Sequence, residues 1–171
     1  MTPTASATLP EVEVFRTNAN ITHQIIQRNL EGISQAESLV QPQPAGNCIN
    51  WVTGHLLWVY DQVLTMLNHQ PVLGAEALQR YARGTPPLTS DAEAMELSDL
   101  LKKIDLAASR VDAALAGVTE EELNAKAPFS PTNNPDETVR SLLGIVTFHQ
   151  AYHAGQLGVL RRIAGKAGAI A

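Results

Sequence analysis

His149 and His153 lie four residues apart in the segment T-F-H-Q-A-Y-H-A-G-Q-L. On a helix, side chains at that spacing project from one face. A third histidine, His55, sits far upstream in N-W-V-T-G-H-L-L-W. If that segment is a facing helix, its imidazole completes a set of three nitrogen donors. Three imidazoles around a divalent cation leave one coordination position open, which is the arrangement of reactive rather than closed structural sites. Imidazole suits zinc, nickel, copper and iron alike, so the donor type does not name the ion.

The elements that must position these residues are legible in the apolar spacing. Val14, Phe15, Asn18, Ile21, Ile25 and Leu30 recur at helical intervals. They predict a first helix from Glu11 to about Leu39, with Gly32 as a kink point. Residues 1–10 read as a flexible lead, and 11–171 as a single helical domain. Q-P-Q-P-A-G-N stops the first helix, because each proline removes a donor and restricts its predecessor. Asn47 is a good N-cap for a second helix that ends near Asn68 or His69. The connection over 71–90 holds a short helix, Ala75 to Ala82. Ser90 and Glu93 have the spacing of a capping box and open a third helix that runs to about Ala116. Leu97, Leu100, Leu101, Ile104, Ala108, Val111 and Leu115 form its stripe. Thr119 to Leu123 starts a single turn. The last helix runs from Asp136 or Glu137 to about Ala164 and stops at Gly165. No strand alternation is sustained, so the predicted fold class is all-α, a four-helix bundle.

Phasing these helices turns the histidines inward. Leu142, Val146, His149, His153, Gln156 or Leu157, and Leu160 share one stripe of the last helix. His55 stands on the side of the second helix that carries Trp51 and Trp58. Buried imidazoles are neutral and need partners. A shared divalent cation is one solution; separate core histidines with backbone or water partners are the other, and spacing alone supports both.

Two better-known histidine chemistries are excluded. Diiron bundles need Glu-x-x-His pairs, and here Val146 and Gln150 occupy the positions three before His149 and His153. A metalloprotease helix needs His-Glu-x-x-His, and Gln150 follows His149. Gln156 is the one catalytic candidate, able to hold a water or a substrate three residues from His153. Asp61 reads as a solvated carboxylate and His23 as exposed. His69 reads as a helix-end histidine, Cys48 as a small residue at a helix start. Arg161 and Arg162 read as a solvated helix end. Gly144, Gly155 and Gly158 weaken their helix, which close approach within the bundle or across a dimer would explain.

Composition sets the wider bounds. A chain of 171 residues buries enough surface to fold without disulfide or structural metal. Net charge is −5 and the twelve basic residues are scattered, which argues against nucleic-acid binding. One cysteine permits no internal disulfide. The N-terminus lacks the pattern of a signal peptide, and the longest apolar run is too short to span a bilayer. A soluble cytoplasmic protein without membrane association is expected.

G-H-L-L-W-V-Y-D-Q and F-H-Q-A-Y-H-A-G-Q-L-G-V-L-R resemble the DinB/YfiT-like family, with matching order and spacing of elements over nearly the whole chain. The resemblance implies a four-helix bundle, often homodimeric, with nickel or zinc held by three histidines. Carried over residue by residue, the ligands are His55, His149 and His153. Similar members include S-transferases and isomerases that use bacillithiol or mycothiol, and metal-dependent hydrolases without an assigned substrate. The expectation is therefore a divalent-metal-dependent thiol transferase or hydrolase acting on a small molecule, with a low-molecular-weight thiol as a candidate co-substrate. The alternative is a non-catalytic metal-binding or stress-associated bundle protein.

Overall fold

Pro10 opens the first helix, α1 (Pro10–Leu30), where a missing N–H costs nothing, and Glu11 and Glu13 face its positive end. The computed structural model describes residues 9–88 and 90–170. The expected lead thus falls almost wholly outside the described residues. α1 does not run to Leu39. It stops at Leu30, and Gly32 takes the left-handed φ of +69° that ends helices rather than kinking them. Ser34 then caps a separate short helix, α2 (Gln35–Ser38), in a reciprocal box with Glu37.

α3 (Ile49–Met66) is buried on almost every side, as an all-round apolar helix must be. Its N-cap is Cys48, one residue later than the expected Asn47. Asn68, with φ of 59°, ends it, and the His69 N–H reaches back to the Leu64 carbonyl at 2.8 Å. The expected helix over Ala75–Ala82 is only a 3-10 turn, Gln79–Tyr81. Ser90 makes no side-chain cap, and the box expected with Glu93 is replaced by a second 3-10 turn, Asp91–Glu93. Ala94 is extended, so α4 begins later, at Leu97, and runs to Ala116. A residue distant in sequence supplies its cap: Gln35 Oε1 accepts the Leu97 N–H at 2.8 Å. α5 (Glu120–Asn124) carries the expected box, Thr119 with Glu122. α6 (Val139–Ile163) is capped by Thr138, two residues beyond the earliest expected start, because the Thr138 hydroxyl takes the Ser141 N–H.

The described residues hold six α-helices and no strand. The four long helices form the bundle: α1 packs on α4 and α6, and α3 packs on the same two. α1 and α3 therefore stand at opposite corners, and α3 brings its face against α6, where His149 and His153 lie. Leu56, Leu57, Leu64, Leu100, Ile104 and Leu157 fill the centre. Among the described residues, no helix is long and apolar enough to cross a membrane.

Candidate metal centre

α3 and α6 bring the three predicted histidines together. His149 Nε2 lies 3.4 Å from His55 Nε2 and 3.1 Å from His153 Nε2. One ligand atom from each lies within 4.8 Å of the others. Donors bound at about 2.0–2.1 Å around a tetrahedral ion stand roughly 3.3 Å apart, so these spacings fit a shared cation.

The groups behind the imidazoles decide which nitrogen is free. His55 Nδ1 is 2.7 Å from the Tyr81 carbonyl, an acceptor only, so Nδ1 carries the proton and Nε2 presents a lone pair. His153 Nδ1 donates likewise to Gln156 Oε1 at 2.8 Å. Both lone pairs then face His149 Nε2. A proton on that atom satisfies one neighbour and leaves the other facing it unpartnered. A cation between the three satisfies all of them, and the donor hydrogen bonds behind two of the rings are the supports metal-binding histidines use.

Electrostatics keeps the rings ready to bind. Burial pushes His55 down to about 4, against the pull of the Tyr81 carbonyl, with the neighbouring His153 and Arg83 charges adding to the depression. His149 is also pushed to about 4, by burial first and then by His153, His55 and Arg83. Burial lowers His153 as well, opposed by Gln156. All three are neutral near pH 7, the form a metal requires. His55 is further fixed between two stacked indoles: Trp51 at 4.8 Å and Trp58 at 5.6 Å between ring centroids.

The site opens into a cavity of about 470 Å³, walled by Trp58, Val59, Met66, Phe129, Leu142 and Val146, with His55 and His149 on its surface. Arg83 stands on the same wall, and no carboxylate of the described residues lines the space.

With fold and site in place, a family model for the DinB superfamily matches residues 20–157. The chain belongs to the DinB superfamily. A crystal structure of a conserved protein from Enterococcus faecalis superposes with a TM-score of 0.71 at 19% identity, covering 92% of this chain and 99% of that one. At that identity the likeness speaks for the DinB fold alone. Among proteins of curated function, none matches.

Other sequence expectations are redistributed around this DinB core. Gln156 faces His153, so its carbonyl oxygen is committed to a histidine. Asp61 is not solvated. It is buried on α3 and accepts the backbone N–H groups of Val72, Leu73 and Gly74 at 2.6–2.9 Å, tying down the chain after α3. His23 is half-buried, held by Asp105 at 2.9 Å and outside the histidine cluster. His69 is exposed at the end of α3. Cys48 is a buried free thiol, also outside the cluster. Arg161 is no solvated terminus: it donates to the carbonyls of Asn29 and Glu31 and so caps the end of α1. Gly158 lies against Asn29, whose amide donates to the Ala154 carbonyl, the close approach expected within the bundle. A Cβ at Gly144 or Gly155 would meet nothing within 4 Å, so close packing does not explain those two.

Four contributors were not singled out from sequence. Gly54 lets the Tyr81 ring lie directly on α3, and Tyr81 orients His55 through its carbonyl. Arg83 and Phe129 reach the cavity from loops whose sequence carries no periodic signal. The glycine inside an otherwise apolar helix was the available clue to the first.

Proposed function

We propose that the protein is a divalent-metal-dependent enzyme acting on a small molecule, with His55, His149 and His153 as ligands and thiol transfer as its reaction. The observation that carries this reading is that three histidine nitrogens converge beside a largely apolar cavity of substrate size, with His55 and His149 on its wall. A zinc or nickel ion held there would keep a thiolate or a hydroxide available near neutral pH. The chain's own part is to hold the rings: Tyr81 and Gln156 fix the tautomers, and Trp51 and Trp58 clamp His55. The apolar wall shields the reacting atoms from water, which favours transfer between organic partners over hydrolysis.

A non-catalytic metal-binding role is the second reading. It is favoured by the lack of a carboxylate among the residues lining the cavity, since hydrolysis would profit from a general base. The two separate in one assay: metal-loaded protein incubated with a panel of low-molecular-weight thiols and electrophiles, and with esters. Thioether formation supports the first. No turnover by fully loaded protein supports the second.

The same reading makes the protein a cytoplasmic, single-domain homodimer. Cys48, a free thiol, suits a reducing compartment. Val14, Ile21, Phe148 and Val159 leave large apolar side chains exposed on α1 and α6, a surface suited to a second copy. Sedimentation of Val159→Glu beside the unmodified protein tests the dimer.

A further inference from the structure

We propose that Arg83 is the specificity residue of the cavity, and that the molecule accepted there is an amphipathic anion, an apolar body ending in a carboxylate. This deepens the proposed function and rests on the cavity being its substrate site.

The cavity is apolar except at a few points, and among the described residues Arg83 is the one lining residue with a permanent charge. The chain as a whole carries a net charge of −5, yet among the described residues no Asp or Glu lines this space. Four other arginines are occupied, and Arg28, Arg110 and Arg162 lie outside the cavity lining. Arg16 pairs with Asp112, Arg80 holds the Pro86 and Pro87 carbonyls, Arg140 pairs with Glu11, and Arg161 caps α1. Among the described residues, the Arg83 guanidinium has no such partner. It is exposed, so its charge stays hydrated until a ligand arrives.

The backbone that presents it is fixed on both sides. Tyr81 is buried; its hydroxyl donates to Asn50 Oδ1 at 3.0 Å and accepts the Met95 N–H at 2.7 Å. Thr85 returns its N–H to the Ala82 carbonyl and its hydroxyl takes the Trp51 indole N–H at 3.1 Å. Arg83 lies between these anchors, and Tyr81 is also the group that orients His55. One anchored loop therefore carries both the carbonyl that orients the imidazole and the backbone of Arg83. A guanidinium binds a carboxylate through two parallel hydrogen bonds, which a point charge or a hydroxyl cannot reproduce. The anionic end is held at Arg83 while the apolar body lies against Trp58, Met66 and Phe129.

Octanoate and 1-octanol share a chain length and differ in the charged end. Calorimetric titration of both into unmodified protein, Arg83→Met and Arg83→Lys, each metal-free and zinc-loaded, tests the assignment. Metal-free protein removes direct binding of the carboxylate to the ion. Unmodified protein should prefer octanoate on the order of tenfold in both forms. Arg83→Met should lose that preference with an unchanged unfolding midpoint, and Arg83→Lys should keep part of it. Equal octanoate affinity in Arg83→Met, a preference for octanol, or no octanoate binding at millimolar concentration overturns the assignment. Zinc content is measured in parallel. An Arg83-dependent preference without zinc binding leaves this assignment standing and removes the metal reading; full zinc loading without the preference removes this assignment alone.

Discussion

Gly54→Ala should damage the metal site although residue 54 touches no ligand atom. An alanine Cβ at this position would lie 2.3 Å from Tyr81 Cδ1 and 2.5 Å from its Cε1 and Cγ, far inside contact distance. The ring cannot swing away freely, because Tyr81 is buried and its hydroxyl is bound by Asn50 and Met95. Overpacking of this kind costs about 1–3 kcal/mol. Replacing a helical glycine by alanine returns about 1 kcal/mol, leaving a net loss of up to about 2 kcal/mol. Any shift of Tyr81 also moves the carbonyl that holds His55 Nδ1 at 2.7 Å. Losing such a support lowers metal affinity by roughly 10–100-fold. Urea denaturation of metal-free protein reads the first effect, and competition with a chromophoric chelator reads the second. Gly144→Ala is the internal control: nothing lies within 4 Å of its Cβ position, so it should gain up to about 1 kcal/mol. A Gly54→Ala protein that is stabilised like the control, with unchanged metal affinity, would refute the reasoning.

Gln156→Ala should reduce metal affinity by roughly 10–100-fold with little loss of stability, because it frees His153 Nδ1; equal chelator competition would show that the amide does not orient the ring. Asp61→Ala should destabilise by about 2–4 kcal/mol, since three backbone N–H groups lose one buried acceptor; a thermal midpoint within error of the unmodified protein contradicts this. Metal-free protein should lose stability as pH falls from about 6.5 to 4. His55 and His149 are held near 4 when folded but take protons near 6.5 when unfolded, so acid favours the unfolded chain across that window. Urea midpoints measured from pH 7 to 4 check the sign, and a His55→Gln variant should reduce the slope across the whole window.

The histidines are legible in the sequence because their signal is local. The i,i+4 pair fixes one face of α6, and Trp51 and Trp58 mark the buried side of α3 that His55 shares. The helical class and the DinB family follow from the same segments. Helix boundaries differ from expectation where a distant residue supplies the cap. The start of α4 depends on Gln35, brought to Leu97 by the fold, so the local Ser90 pattern does not reveal it. The end of α1 depends on Gly32 adopting a left-handed conformation, one of two outcomes a glycine permits. Asp61 looks like an ordinary surface carboxylate because its partners are backbone N–H groups, which no side-chain pattern records. Arg83 reaches the cavity from an aperiodic loop, and only the folded chain brings it to the histidines.

Metal content per chain is the most direct test of the three-histidine centre. Protein purified without a histidine tag and reconstituted with zinc or nickel should hold about one ion per chain. His55→Ala, His149→Ala and His153→Ala should each lose it while remaining helical. Substoichiometric metal in the reconstituted unmodified protein, or full retention in all three variants, would contradict the site.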